Sequence, residues 1–276
     1  MFFTSNTRRA FTLVDLLFAV ALVGTVLAFF LETKNFFGIR TYTINHFCLS
    51  DSGNRYAAID GGGSIGDIHV WYRSSRKLLA TFPSLVDDYL FDPLTISSRG
   101  TYLALRDESQ NGDTLSLGNV DTQQQVFHRV LTVEQVEFSP DESALACLLD
   151  DGTIDVLKTS DGSLLYHLKA DAAAKCTDMT WSPDGKQIAA VSEDEIIFWS
   201  TALGNAKLGS IAIDRPQDSF VSLWFSPEGQ YLAVGTYHYP SDPDAETLST
   251  RINLYNVTTK ERLGSWEQSN QTYGRL

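Results

Sequence analysis

Residues 181–200 read WSPDGKQIAAVSEDEIIFWS, and the order of residue types in them describes a folding unit. An apolar approach ends at Trp181 and Ser182. Pro183 then fixes φ, and Gly185 offers the positive φ that a tight turn requires. QIAAV (187–191) is long enough for a short buried strand. After the polar Ser192-Glu193-Asp194, EIIFW (195–199) starts another.

The same order returns four more times: LSDSGNRYAAID (49–60), ISSRGTYLALRD (96–107), FSPDESALACLL (138–149) and FSPEGQYLAVGT (225–236). The aligned serines are Ser50, Ser97, Ser139, Ser182 and Ser226, separated by 47, 42, 43 and 44 residues. That period is the one of a propeller blade. Each unit also has a strand before the serine, as in VEQVEF and FVSLWF. Each has an alternating third strand (DIHVW, TLSLG, TIDVL, EIIFW, RINLY) and a last strand after a second polar turn (KLLATF, QVFHRV, LLYHL, AKLGSI, ERLGSW). Four short strands repeated five times predict an all-β chain.

These units resemble WD40-type repeats, in the bacterial style where FSPDG marks the first hairpin. Trp71, Trp199 and Tyr255 stand where that family has its Trp. The Asp that follows it in the family is replaced by Tyr72 and Ser200, and the Gly-His pair is missing, so the family's Asp-His-Ser/Thr-Trp network is not expected. The resemblance covers roughly residues 40–270. It implies a β-propeller of about five WD40-like four-stranded blades, closed or partial. Seven blades are usual in the family and the fifth unit here completes its own four strands. A closed ring, an open arc and a truncated chain therefore all stay open. Exposed edges of an arc would invite pairing.

One hydrophobic helix is expected before the propeller. RRAFTLVDLLFAVALVGTVLAFFLE (8–32) carries an apolar run from Phe11 to Leu31, about 31 Å as a helix, which matches the hydrocarbon thickness. Arg8 and Arg9 would keep the N-terminus on the cytoplasmic side. An acid inside such a run is costly unless something pairs with it, and Asp15 is there. The stretch resembles the N-terminal cleavage and methylation segment of type IV prepilin-like bacterial proteins. The resemblance implies a cut after Ala10, a new N-terminus at Phe11, and Asp15 as the fifth-position acid that pairs with a neighbouring subunit's amine. Ala10 and Asp15 replace the family's usual Gly and Glu. An ordinary signal anchor is the other reading. The chain divides accordingly into a leader (1–10), a transmembrane or prepilin-like helix (11–31), a linker (32–43) and the propeller (44–276). Both readings place a single-pass protein in the cytoplasmic (inner) membrane, with the propeller periplasmic or extracellular.

With 21 Lys and Arg against 34 Asp and Glu, the net charge is -13. Such a surface repels phosphate backbones, so no nucleic acid is expected, while basic protein partners stay open. Cys48, Cys147 and Cys176 lie far apart, with no CxxC pair, and read as small buried hydrophobes, one disulfide being the lesser alternative. GGGSIG (61–66) satisfies both GxGxxG and GxSxG but joins two strands instead of opening a helix, and SSRK (74–77) lies in a polar turn. The histidines show no HxH or HExxH spacing, and DPDAE (242–246) and SDSGN (50–54) lack a calcium loop's full donor run. Neither a metal nor a cofactor is expected.

The loops between second and third strands should share one rim. They hold Asp60 and Asp67, Asp107, Glu108 and Asp113, Asp150 and Asp151, then Glu193, Asp194 and Glu195, with a long insertion from Tyr237 to Thr250. Loops on one face of a repeat array commonly bind. The first expectation is a non-catalytic, membrane-anchored scaffold for protein–protein interaction whose acidic rim docks a basic partner. A second is a minor pilin-like or secretion-system subunit carrying a propeller. The third is a glycan hydrolase using paired carboxylates in a central channel, where Glu134, Glu137 and Asp178 are the acids available.

Overall fold

Among the described residues, twenty β-strands arranged as five separate four-stranded antiparallel sheets make up the computed structural model. It describes residues 43–61, 66–84, 94–107, 113–170, 174–202, 206–213, 219–238 and 247–271. The first sheet holds β1 (Thr43–Leu49), β2 (Arg55–Gly61), β3 (Gly66–Tyr72) and β4 (Leu78–Ser84). The second holds β5 (Leu94–Ile96), β6 (Tyr102–Asp107), β7 (Thr114–Asn119) and β8 (Gln124–Val130), and the third β9 (Val133–Phe138), β10 (Ala144–Leu149), β11 (Ile154–Lys158) and β12 (Leu164–Leu168). In the fourth are β13 (Cys176–Trp181), β14 (Gln187–Ser192), β15 (Glu195–Ser200) and β16 (Lys207–Ala212). The fifth has β17 (Ser219–Phe225), β18 (Tyr231–His238), β19 (Thr247–Asn256) and β20 (Arg262–Gln271). Every sheet is a meander in chain order. The five-unit, four-strand reading of the repeat is what the structure has. The leader, the apolar helix of 11–31 and the linker up to residue 42 lie outside the described residues. Among the described residues, no helix is long and apolar enough to cross a membrane.

The aligned serine explains why each unit turns where it does. In the third sheet Ser139 Oγ accepts the Ala144 N–H at 2.9 Å, and in the fourth Ser182 Oγ accepts the Gln187 N–H at 3.0 Å. Ser97 and Ser226 hold Tyr102 and Tyr231 in the same way. The residue three places on takes positive φ: Gly53, Gly100, Gly185 and Gly229, but Glu142 in the third sheet, at φ 65. An L side chain there costs backbone strain. Each third strand carries a register shift against its fourth strand at one recurring place, between Val70/Trp71, Leu117/Gly118, Val156/Leu157, Phe198/Trp199 and Leu254/Tyr255. A bulge repeated five times adds twist at the same point of every sheet.

Four apolar clusters join the sheets in succession: first to second, second to third, third to fourth and fourth to fifth. Alternation along each strand gives every sheet a leading face, turned to the next sheet, and a trailing face, turned to the previous one. Leu145, Ile188, Ile197 and Phe198 are fully buried, each such side chain contributing about 1.5–3 kcal/mol by burial. Cys147 and Cys176 lie in these clusters and Cys48 packs against one; all three are free thiols, as small hydrophobes. Burial pushes Cys48 up to about 12 and Cys176 to about 11, which leaves them unreactive. Among the described residues no such cluster joins the fifth sheet to the first.

Candidate functional site

Successive inner strands are not paired through their backbones, so side chains cross between them. Gln135 on β9 brackets Met179 on β13: its Nε2 donates to the Met179 carbonyl and its Oε1 accepts the Met179 N–H, both at 3.0 Å. One repeat later, Asp178 does the same toward β17, its Oδ2 accepting the Leu223 N–H at 2.8 Å while Oδ1 accepts the Met179 N–H at 2.9 Å. Glu137 Oε1 accepts from the Trp181 N–H and the Thr180 hydroxyl, each at 3.2 Å, and the Trp181 indole donates back to the Glu137 carbonyl. In the second sheet, the Arg106 guanidinium donates to the carbonyls of Val133 and Glu134.

Gln135, Arg106 and Glu134 border a cavity of about 530 Å³ at the inner strands of the first three sheets, lined also by Phe47, Leu49, Asp51 and Thr95; Glu137 and Asp178 are not part of that lining. Burial pushes the Glu137 carboxyl up to about 7. The charges of Asp178 and Asp51 add to the shift, against the hydrogen bonds from Trp181 and Thr180. Burial likewise raises Asp178 to about 6, opposed by the Leu223 and Met179 N–H groups. Perturbed carboxylates in a cavity are a familiar mark of acid–base sites. Here, however, both oxygens of Asp178 and one of Glu137 are committed to groups of β13 and β17. The arrangement orients neighbouring strands. Among the described residues, no group of three or more His, Cys, Asp and Glu is placed to hold a metal ion.

The rim acids fall where second strands run into third strands, and their surroundings differ. Asp150 and Asp151 are exposed in the four-residue connection between β10 and β11, Glu193 and Asp194 in the two-residue turn between β14 and β15, and Asp67 is exposed at the start of β3. Asp151 serves its own turn: Oδ1 accepts the Thr153 N–H at 2.9 Å and its hydroxyl at 2.6 Å, holding the carboxyl below the usual carboxylate range. The Asp194 carbonyl accepts the Ile213 N–H, and the residue is exposed to solvent. Glu195 is half-buried and pairs with Lys207 at 3.8 Å. Lys175 donates to the Asp150 carbonyl, placing a cation among the acids. Asp60 is the penultimate residue of β2 and Asp107 the last of β6, but their side chains are not described, and neither is any part of Glu108. Asp113 is partly covered just before β7. The core of the long insertion (239–246), GGSI (62–65) and the processing residues Ala10, Phe11 and Asp15 also lie outside the described residues.

Sequence reasoning did not single out Gln135, Arg106, Asp51 or Glu142. A signal for two brackets is present: four residues before the aligned serine, the inner strand holds Gln135 in one unit and Asp178 in the next.

Compared with known proteins, residues 162–200 match the WD40 family, described as WD domain, G-beta repeat. The matched stretch runs from the turn before β12 to the end of β15. The sequence repeat is therefore offset from the sheet by one strand, taking the last strand of one sheet and the first three of the next. No curated protein matches the chain. The repeat match and the five four-stranded antiparallel sheets together support a WD40-type propeller, an architecture that serves protein–protein interaction.

Proposed function

We propose that the protein is a non-catalytic interaction scaffold, anchored in the cytoplasmic membrane by residues 11–31, that presents an acidic propeller rim to a basic protein partner outside that membrane. The observation that carries the rim assignment is the pair of exposed acidic turns in consecutive sheets, Asp150-Asp151 and Glu193-Asp194, on a chain of net charge -13. Rim charges of one sign steer association and set specificity more than they set affinity. The membrane assignment rests on the apolar run after Arg8 and Arg9.

The test is a charge reversal of exposed rim acids, Asp150→Lys with Glu193→Lys and Asp194→Lys, with proximity cross-linking of the full chain in native membranes. Basic partners captured by the wild type should be lost, and their capture at higher salt should fall. Unchanged capture would remove the rim from the function.

A second reading, a minor pilin-like or secretion-system subunit, is favoured by Asp15 and by the Ala10–Phe11 junction before the apolar run. Intact mass of the mature protein separates the two. Loss of ten residues with a methylated Phe11 supports the subunit, and an N-terminus at Met1 or Phe2 supports the plain anchor.

A further inference from the structure

Seven residues after each aligned serine stands an alanine: Ala57, Ala104, Ala146, Ala189 and Ala233. The first four are 0% exposed, each covered by the next sheet, whereas Ala233 on the fifth sheet is only partly buried. The residues around Ala233 repeat the contrast. Ile252 and Trp266 face each other across β19 and β20. They are 43% and 58% exposed, while their counterparts on the fourth sheet, Ile196 and Ile211, are 0% and 4%. Trp224, two residues before Ser226, is 50% exposed. The fifth sheet thus carries a leading face of the same make as the four that are buried, with nothing described lying over it.

At the other end, the trailing face of the first sheet shows Phe47 and Leu49, with Tyr56 stacked on Trp71 at 5.1 Å between ring centroids. Counted from the serines, Phe47, Leu49 and Tyr56 correspond to Leu223, Phe225 and Leu232. Those three form the receiving side of the joint between fourth and fifth sheets. Phe47 is 50% and Leu49 39% exposed. One face is the donor half of an inter-sheet joint and the other is the acceptor half. Each of the four joints of the array shows such a pair closing, and within one chain these two halves are both left exposed.

We infer that the leading face of the fifth sheet docks on the trailing face of the first sheet in a second copy of the chain, reproducing the joint that four sheet pairs already make. The contact is head-to-tail, so it closes a ring of copies if the rotation fits and grows a filament if it does not. Trp266 and Trp224 would be its aromatic anchors.

Two singly substituted full-length chains, Trp266→Cys and Phe47→Cys, are mixed in detergent under mild oxidation, with the wild type alongside because Cys48 adjoins the second site. A disulfide-linked dimer should form only in the mixture. Sedimentation of the unoxidised wild type should show concentration-dependent association, weakened at least about 30-fold in Trp266→Glu. That residue is already half in water, so the variant is expected to keep wild-type circular dichroism. Three results overturn the inference. A doubly substituted chain that links to itself and runs as a monomer would make its own first sheet the occupant. A Phe47→Cys chain that dimerises alone would make the contact isologous. Wild type of constant mass at all concentrations, with no linked species, would leave both faces unoccupied.

Discussion

The Glu142 carboxylate accepts the hydroxyl hydrogen bond of Ser97 at 2.6 Å, 45 residues away in the preceding sheet. Its Oε1 also accepts the Arg99 N–H, and Oε2 takes the Arg99 guanidinium at 3.1 Å. Burial works against this charge, and the hydrogen bonds from Ser97, Thr101 and Arg99 outweigh it, keeping Glu142 below the ordinary carboxylate value. The latch stands at the one aligned turn that lacks glycine, at φ 65. Glu142→Ala should cost about 2–4 kcal/mol, because it leaves buried donors without their acceptor and keeps the strained φ. Glu142→Gly loses the same bonds but regains about 1 kcal/mol of backbone strain. Urea midpoints should therefore rank wild type, then Gly, then Ala. A Gly variant as stable as wild type would mean the latch does no more than offset the strain of its own backbone.

Gly152 and Gly185 both take positive φ, at 79 and 69, but their surroundings differ. A Cβ on Gly152 would come within 2.6 Å of the Lys175 Cα and 2.9 Å of the Cys176 nitrogen, whereas one on Gly185 would meet nothing closer than Pro183's counterpart contact, the Pro140 Cδ at 3.7 Å. Backbone cannot give way as a flexible side chain can. Gly185→Ala should cost about 1 kcal/mol from φ alone, and Gly152→Ala clearly more, read as a larger fall in melting temperature. Equal losses would show that the approach of Lys175 does not constrain the turn.

Stability should pass through a maximum in mildly acid solution. Glu137 and Asp178 have folded values of about 7 and about 6, above their ordinary 4.5 and 3.8. The folded state therefore holds these protons more tightly. Their contribution is complete below the ordinary values and is lost as pH rises through 6 to 7. Asp151 and Asp184 behave oppositely, held low by Thr153 and Ser182. Asp141 joins them, because hydrogen bonds from Ser139 and Ser143 outweigh its burial. Those carboxylates lose their contribution as pH falls below about 4. Denaturation at a series of pH values should show both limbs. Glu137→Gln with Asp178→Asn should flatten the upper one, a difference on the order of a few kcal/mol at its fullest. An unchanged upper limb would assign it to other groups.

Two neighbouring rim acids should separate cleanly. Asp151→Ala removes the acceptor for Thr153 N–H and Oγ1 and should cost about 1 kcal/mol. Asp194→Ala touches only a solvent-facing side chain and should stay within about 0.5 kcal/mol. Thermal melts of the two variants would check this, and a costly Asp194→Ala would show that the acid is structural.

The period, the strand order and the turns were legible because each rests on local residue types: serine, proline and glycine at fixed places, apolar alternation between them. The rim was legible as a set of loops, yet Asp151 and Asp194 look alike in sequence and differ only once Thr153 is seen to fold back. Glu142 was hidden for a different reason. Its partners Ser97 and Arg99 belong to another repeat, and nothing in the residues of its own turn points to them. The recurrent bulge at Trp71, Trp199 and Tyr255 is equally silent, since it is a property of strand pairing and not of any one residue type.

The brackets from Gln135 to Met179 and from Asp178 to Leu223 also decide how the array would yield to a pull. A sheet held to its neighbour by two or three side-chain bonds and an apolar face is a weaker seam than the backbone ladders inside it. Drawn from one end, the chain should surrender one sheet at a time, each releasing a repeat of 42 to 47 residues, roughly 150 Å of extended chain. A force trace would then read as a short, regular saw-tooth, with its tallest tooth where Glu142 ties the second sheet to the third.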